Sequence, residues 1–268
     1  MMRIEKRSWK NGLLSLWHFG IQQALSCIFP VLIFLTLALS KVIEVPFLYR
    51  YDFILIVCLL IQIGMIWSKL ESWDELKVIC LFHLIGLGLE LYKVHMGSWS
   101  YPEPAYTKIA GVPLYSGFMY ASVASYICQA WRRLSLKFVL WPRNLVTYTI
   151  AVLIYANFFA HHFLPDIRWF LIAGLFLFFG KSYVKFTVNG QRFRISTILS
   201  FLLIGCFIWI AENISTFFGA WQYPNQEKAW ELVHISKINS WFLLVIISII
   251  IVANLKHYQQ RDTVQVRS

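Results

Sequence analysis

The sequence predicts an all-α integral membrane protein, a polytopic bundle of about eight transmembrane helices. Two observations point to this class. Hydrophobic residues make up 59% of the 268 residues and charged residues only 14%, whereas soluble domains carry about 25% charged residues. Apolar stretches of about 20 residues, the length that crosses a bilayer as a helix, also recur along the chain. A soluble enzyme is therefore excluded.

The candidate spans follow one another along the chain. They are residues 21–40, 51–68, 77–95, 113–131, 145–164, 167–186, 195–217 and 238–256. The first is too long for a signal peptide and is expected to be retained. Pro30 lies inside it and predicts a kink, which the neighbouring helices of a bundle tolerate. The charged segment 69–77 is interpreted as a solvated turn.

The basic residues predict the orientation of the bundle. With the N-terminus inside, 17 of the 24 Lys and Arg residues fall in inner segments and the other 7 in outer segments. Lys and Arg favour the cytoplasmic side of a membrane. Both termini are therefore predicted to be cytoplasmic, and the net charge of +11 is interpreted as a cytoplasmic rim rather than a nucleic-acid site.

One motif occurs twice, at residues 90–102 and 212–224. Glu, Gly, Trp, Tyr and Pro recur at the same offsets, and each copy follows the third span of its half. The sequence therefore predicts a tandem 4+4 repeat within one membrane domain. Residues 1–131 and 132–268 form its two four-helix units, in parallel orientation.

In each copy a glutamate lies near the outer end of a span and the aromatic residues follow at headgroup depth. A carboxylate inside a span costs about 2.5–3.5 kcal/mol on insertion scales, so it usually faces the bundle interior or a cavity. Glu90 and Glu212 are therefore candidate catalytic residues. The aromatic residues either line a substrate pocket or anchor the protein in the interface. They are Trp99, Tyr101, Trp221 and Tyr223.

Further polar residues map to the outer third of the bundle. Asn157 and His161 are four apart and share a helix face, whereas His162 is turned about 100° away. Both histidines are candidate catalytic residues, acting as a proton relay. Candidate substrate-binding residues are Tyr120, Asn157 and Asn213. Tyr120 has a second interpretation as an interhelical hydrogen-bonding group. Asp166 and Arg168 are interpreted either as a surface ion pair or as a device that starts the next helix.

No metal and no cofactor is predicted. The sequence contains no GxGxxG, P-loop or HExxH motif, and the five cysteines lie within apolar stretches, as buried thiols do. Gly117, Ala121 and Ser125 form a small-residue stripe that predicts close helix packing. The predicted partners are the lipid bilayer and a lipid-soluble substrate, without nucleic acid, and the oligomeric state is left open.

Longer motifs carry a resemblance to a known family. They include His18-Phe-Gly-x-Gln22-Gln23-Ala-x-Ser26, Gly97-Ser-Trp-x-Tyr-Pro-Glu103, Asn157-Phe-Phe-x-His-His-x-x-Pro-Asp-x-Arg-Trp169 and Trp209-x-Ala-Glu-Asn213. Together they resemble the YoaT-like family of uncharacterised bacterial integral-membrane proteins, over essentially the whole chain. The resemblance implies a multi-pass protein of the bacterial cytoplasmic membrane, and it implies no particular activity.

A more distant resemblance is to the membrane-embedded lycopene cyclase and carotenoid hydratase domains. These domains also place an acidic residue before Gly-x-Trp-x-Tyr/Phe and then Gly-x-Pro, which correspond here to Glu90 and to residues 97–101 and 111–113. The cyclases follow Gly-x-Pro with paired acidic residues, where this chain has Leu114-Tyr115-Ser116. The resemblance implies kinship of fold more than shared chemistry.

Three functions remain open at this point. The first is a membrane enzyme that acts on an isoprenoid or other lipid-soluble substrate, with Glu90 and Glu212 as acid and base. The second is a proton-coupled small-molecule transporter with a path between the repeats. The polar residues lie toward one side of the membrane, which favours the enzyme over the transporter. The third is a non-catalytic membrane scaffold or sensor.

Overall fold

The computed structural model describes the backbone of residues 9–265 and the side chains of residues 12–253. Its helices are α1 (Trp9–Ser26), α2 (Ile28–Leu39), α3 (Arg50–Trp67), α4 (Trp73–His95), α5 (Ser116–Leu134), α6 (Asn144–Ala160), α7 (Arg168–Phe179), α8 (Thr197–Phe217) and α9 (Lys237–Gln265). Its strands are β1 (Lys108–Ile109), β2 (Val112–Pro113), β3 (Lys137–Val139), β4 (Tyr183–Val188) and β5 (Gln191–Ser196). Seven basic residues of the orientation argument have side chains outside this range: Arg3, Lys6, Arg7, Lys10, Lys256, Arg261 and Arg267.

The first predicted span is a broken pair of helices. The axes of α1 and α2 differ by 62°, and the break falls at Cys27 rather than at Pro30. Pro30 lies in the first turn of α2, where a proline is well tolerated because its missing N–H has no helical acceptor. A kink in this span was therefore predicted correctly, but it lies at Cys27, three residues before Pro30.

The structure is not wholly α-helical, and the prediction of a span over 167–186 is wrong in its second half. Helix α7 ends at Phe179, and residues 183–196 form the hairpin β4–β5. The sequence carries a signal for this hairpin: an Asn-Gly pair at 189–190 lies between two runs in which apolar and polar residues alternate. The span predicted over 113–131 is also shifted, since α5 begins after the short β1–β2 hairpin.

The interpretation of residues 69–77 as a solvated turn is wrong for its two glutamates. Glu75 closes a capping box at the start of α4, with its carboxylate accepting from the backbone N–H of Ser72 at 3.0 Å. It is 1% exposed, and Glu71 is 3% exposed. Glu71 accepts a hydrogen bond from Gln62 at 2.6 Å, which offsets part of the cost of burying it.

The loops of the bundle collect at two ends. At one end β3, β4 and β5 form an antiparallel sheet that joins the α5–α6 and α7–α8 connections. At the other end Ser100 and Gln222 pair as an antiparallel bridge, which joins the α4–α5 and α8–α9 connections. We call these the sheet end and the bridge end. Helix α4 packs along α5, and α8 along α9.

Several helices are suited to a membrane. Among the described residues, α3, α4 and α8 are long and apolar enough to cross a bilayer, and the bent pair α1–α2 is a fourth if it forms one span. Residues 144–160, 168–179 and 237–253 form shorter apolar helices. Large apolar side chains are widely exposed on them, such as Phe170 at 79% and Leu177 at 77%. Such a surface is suited to contact with lipid.

Candidate functional site

The two copies of the motif adopt the same backbone conformation. Helices α4 and α8 each end two residues before a glycine in the left-handed region, Gly97 with φ +68° and Gly219 with φ +67°. The N–H of Ser98 then bonds to the carbonyl of Lys93 at 2.9 Å, and Ala220 bonds equivalently to Ser215 at 2.9 Å. This helix ending reverses the chain. The aromatic residues that follow therefore return toward the glutamate two turns back in the helix.

Glu90 lies at the centre of the first motif and is 6% exposed. Its Oε2 accepts hydrogen bonds from the Trp99 indole N–H at 2.6 Å and from the Tyr101 hydroxyl at 2.7 Å. Its Oε1 accepts from the Tyr120 hydroxyl of α5 at 2.9 Å. The structure thus brings together four of the residues predicted for the site.

Glu212 is 3% exposed and is held in a similar way. Its Oε1 accepts from the Tyr223 hydroxyl at 2.5 Å, and its Oε2 accepts from the Trp241 indole N–H at 2.9 Å. Trp241 belongs to α9 and was missed in the sequence, where it is one more Trp at the start of an apolar stretch. Trp221 is not among the donors found for Glu212; it is half-buried beside the apolar core.

The two glutamates are joined through their donors. The Trp99 and Tyr223 rings meet edge to face with centroids 5.9 Å apart, just beside the bridge between Ser100 and Gln222. That bridge is made by two backbone hydrogen bonds of 2.9 Å. The structure therefore places both predicted glutamates around one shared aromatic layer.

A lysine that the sequence reasoning missed completes this layer. Lys237, the first residue of α9, places its Nζ 4.8 Å from the centroid of the Tyr223 ring and 5.8 Å from that of Trp99. A cation is attracted to the face of an aromatic ring. Because these two rings also donate hydrogen bonds to Glu90 and Glu212, Lys237 balances part of the negative charge in the layer. Every hydrogen bond found to Glu90 and Glu212 comes from an N–H or O–H donor, and such a set suits a carboxylate, which only accepts.

The predicted histidines lie beside this layer, at the end of α6. His162 Nε2 is 3.0 Å from Lys93 Nζ, and Lys93 also donates to the Phe158 carbonyl at 3.1 Å. His161 Nδ1 lies 2.9 Å from the Phe158 carbonyl. Burial lowers the pKa of both imidazoles, and the Lys93 charge lowers it further. Neither histidine contacts a glutamate; Lys93, one turn after Glu90, lies between.

The two predicted asparagines are used to hold loops. Asn157 donates to Asp166 at 3.0 Å and accepts from the Ile167 N–H at 2.9 Å. Asn213 donates to the Trp209 carbonyl at 2.8 Å and accepts from the Val233 N–H at 2.9 Å. Each side-chain amide therefore uses its NH₂ group as a donor and its oxygen as an acceptor in these contacts. Both are positioning residues in this structure.

Asp166 and Arg168 form the surface ion pair that was one of their two interpretations. The guanidinium Nε lies 2.7 Å from the carboxylate, with side-chain exposures of 27% for Arg168 and 34% for Asp166. Burial alone would raise the pKa of Asp166. The hydrogen bonds from Asn157 and from the Arg168 backbone, together with the Arg168 charge, outweigh it and lower that pKa.

Arg50 was missed by the sequence reasoning and ties the second motif to α3. Its guanidinium donates to the Phe218 carbonyl at 2.5 Å and to the Gly219 carbonyl at 3.0 Å. Carbonyls at the end of a helix, as these are at the end of α8, lack a donor within the helix. It also bonds Glu103 at 2.8 Å. A cation at a helix C-terminus is favourable. An Arg at the start of an apolar stretch gives no sign of this role in the sequence.

An apolar groove and a small cavity lie beside the donors of the glutamates. An open groove of about 520 Å³ runs between α6 and α9, lined by residues such as Tyr148, Tyr155, Phe159, Ile247 and Ile250. A small cavity of about 40 Å³ lies deeper, between α4, α5, α8 and α9. The two share Tyr155, Ile247 and Ile251, and the cavity is bordered by Tyr120 and Trp241.

Within the described part of the chain, no group of three or more His, Cys, Asp or Glu residues is arranged to hold a metal ion. The five cysteines, at positions 27, 58, 80, 128 and 206, are free thiols. The prediction that they are buried holds for Cys58 and Cys128 and is wrong for Cys80, which is exposed. The stripe of small residues is confirmed at Gly117, where the backbone carbonyl of His83 lies 2.7 Å from the place that a Cβ would take. Helices α4 and α5 are therefore in very close contact.

Apolar helices long enough to span a membrane surround a buried pair of carboxylates bonded by aromatic donors, an arrangement that fits a helical membrane protein. The chain belongs to the family described as "Protein of unknown function (DUF817)", which matches residues 15–249. It is 61% identical over 245 residues to "Uncharacterized protein YoaT" of Bacillus subtilis (strain 168), covering 91% of this chain and 93% of that protein. The predicted family resemblance is thus confirmed.

No solved structure matches the chain. The more distant likeness to lycopene cyclase and carotenoid hydratase domains is not shown by the comparisons.

Proposed function

We propose that this protein is an enzyme of the bacterial cytoplasmic membrane that transfers protons to or from an isoprenoid or other lipid-soluble substrate. The observation that carries the proposal is the apolar α6–α9 groove and the cavity next to it, which is lined by Tyr120 and Trp241, donors to Glu90 and Glu212. A substrate dissolved in the bilayer enters sideways from this groove. The groove's volume lies within the usual range of small-molecule sites, about 300–1,000 Å³.

The chemistry follows from the residues around the cavity. A carboxylate that accepts only N–H and O–H donors serves as a general base, and its protonated form as a general acid. Tyr120 connects the cavity to Glu90 and provides a hydroxyl through which a proton passes. The aromatic faces beside it stabilise a cation that develops on a protonated polyene. His162, bonded to Lys93, provides a group near the surface that can carry a proton.

The membrane arrangement belongs to the same proposal. The chain crosses the membrane eight times, as a tandem 4+4 repeat of residues 1–131 and 132–268, with both termini in the cytoplasm. Support comes from the matching helix endings of the two motifs and from the matching tyrosine donors, Tyr101 to Glu90 and Tyr223 to Glu212. The sheet end, rich in Lys and Arg, then faces the cytoplasm. The bridge end, with the glutamates, faces outward.

Lipid extraction and mass spectrometry of cells with and without the gene test the proposal. A lipid-soluble precursor is expected to accumulate without the gene, and with Glu90→Gln or Glu212→Gln in its place. Glu227→Gln is the matched control, because that side chain is exposed in the loop after the second motif, and it is expected to restore the normal profile. A normal profile with both site variants, at normal protein levels in the membrane, contradicts the proposal.

The groove can be tested separately from the acids. Ala151→Phe fills the α6–α9 groove without touching any donor to the glutamates. It is expected to cause the same precursor to accumulate while the purified protein keeps its thermal midpoint. Retained turnover in this variant contradicts entry by the groove.

One observation favours the second candidate, a proton-coupled transporter. Near the sheet end Glu71 is buried, accepts hydrogen bonds from Ser125 and Gln62, and has its pKa raised by burial. Gln62 Oε1 is buried with no partner among the described residues. Buried titratable groups thus lie toward both ends of α4. Substrate flux into proteoliposomes that follows a pH gradient and is lost in Glu212→Gln would establish transport. Tolerance of Glu90→Gln and Glu212→Gln in both assays would indicate the third candidate, a scaffold or sensor.

A further inference from the structure

The register of the sheet places three cations in a row. Lys137 of β3 is directly opposite Lys185 of β4, and Lys185 is directly opposite Arg194 of β5. Residues opposite each other in antiparallel strands point to the same side of the sheet, and like charges there destabilise it. All three side chains are exposed, and Arg192, two residues before Arg194, lies on the same side. We call Lys137, Lys185, Arg192 and Arg194 the cationic face.

The opposite face of the sheet is apolar and covers the helices. The Phe138 ring is 5.3 Å from that of Trp131 in α5, and the Phe186 ring is 5.2 Å from that of Phe19 in α1. Val184, between them in the sheet, is 4% exposed. The cationic face therefore points away from the bundle.

The cationic face takes part in none of the ion pairs found among residues 12–253. From residue 104 to residue 211 the sequence contains one acidic residue, Asp166, and it is paired with Arg168 at the far end of α7. An anion from outside the chain would relieve the repulsion within the row.

We propose that the cationic face binds the phosphate headgroups of anionic phospholipids in the leaflet at the sheet end. The surroundings of the face select a lipid over a soluble polyanion. Helix α1 lies beside the hairpin, with Ser15 Oγ 3.5 Å from the Gln191 amide oxygen, and it exposes Trp17 at 68% and Leu13 at 63%. After β3, Leu140 is 65% exposed. Cations next to exposed apolar side chains match the boundary between headgroups and acyl chains. This site is independent of the proposed enzyme.

Native mass spectrometry of the full-length protein in neutral detergent tests the proposal, with phosphatidylglycerol and phosphatidylcholine as probes. The protein is expected to bind phosphatidylglycerol in preference. The double variant Lys185→Gln/Arg194→Gln is expected to lower that affinity about 25-fold, roughly fivefold for each cation removed. Its affinity for phosphatidylcholine stays unchanged.

The matched control is Lys69→Gln/Lys228→Gln, which removes two exposed cations outside the sheet. A second variant, Lys185→Glu, places an acid between Lys137 and Arg194. It is expected to raise the thermal midpoint in lipid-free detergent and to abolish the preference for phosphatidylglycerol. The proposal is overturned by unchanged affinity in the double variant, by an equal loss in the control, or by a single-stranded oligonucleotide that displaces phosphatidylglycerol from the protein.

Discussion

Trp99 and Tyr223 meet edge to face with ring centroids 5.9 Å apart, and each donates a hydrogen bond to a different buried glutamate. The two rings come from loops more than a hundred residues apart in the sequence. Moving either ring therefore disturbs both carboxylates. The relationship makes the two motifs one site, and it can be tested by substitution.

Tyr223→Phe is expected to destabilise the protein by about 1–3 kcal/mol, because it leaves a buried carboxylate with one donor fewer. Glu212 would then keep Trp241 as a donor. Denaturant unfolding in detergent measures the change. Tyr106→Phe is the control, since Tyr106 is 71% exposed. A double variant that also carries Trp99→Phe is expected to depart from additivity by at least about 0.5 kcal/mol. Strict additivity would show that the two rings act independently.

Arg50→Gln is expected to destabilise the protein by about 2 kcal/mol or more, because the carbonyls of Phe218 and Gly219 lose a charged donor. Arg50→Lys is expected to recover little of the loss, since one ammonium cannot replace the fork of the guanidinium. The thermal midpoint in detergent is the measurement. Arg143→Gln, at an exposed position, controls for the change of charge. Full stability of Arg50→Lys would mean that only the charge matters there.

Gly117→Ala is expected to cost about 1–3 kcal/mol, because the new methyl group meets the His83 carbonyl and ring at 2.7 Å. Gly174→Ala in α7 has nothing within 4 Å of its added carbon. It is expected to be neutral or to stabilise the helix by up to about 1 kcal/mol. Comparing the thermal midpoints of the two variants isolates the contact between α4 and α5. Equal effects would refute the close approach.

The stability of the protein is expected to depend on pH through His161. The folded protein lowers the pKa of this imidazole, through burial and then the charge of Lys93. The unfolded chain therefore binds a proton first as the pH falls. The contribution of His161 is complete above its unfolded pKa of about 6.5 and is lost as the pH drops below that value. Thermal midpoints of wild type and His161→Gln, compared from pH 8 to pH 5, are expected to converge at the acid end. A constant difference between them would contradict the shift.

Much of the candidate site could be predicted from its pattern alone. Glutamate in an apolar stretch, followed by Gly-x-Trp-x-Tyr-Pro, occurs twice, and both copies fold as glycine-ended helices with the tyrosine returned to the glutamate. This part is local: the helix ending at Gly97 or Gly219 and the offset of eleven residues place donor and acceptor together. Asn189-Gly190 was a comparable local signal, and the hairpin it forms was overlooked.

The partners supplied from a distance could not be predicted. Trp241 and Lys237 come from α9 and Arg50 from α3. No neighbouring residue in the sequence indicates which groups these side chains contact. The two asparagines were grouped with the site because they lie at the same depth. The depth of a residue in the membrane does not determine which way its side chain points, and both amides bind loop backbone.

Hydropathy and local motifs lie in consecutive residues, and they were enough to indicate membrane spans, the family and the two glutamates to be tested. Only the folded chain shows that the glutamates share one aromatic layer. It also shows that an apolar groove and a small cavity lie beside their donors and that three cations stand in register across the sheet. These features depend on which helices and strands become neighbours, and that is settled by packing between segments far apart in the chain.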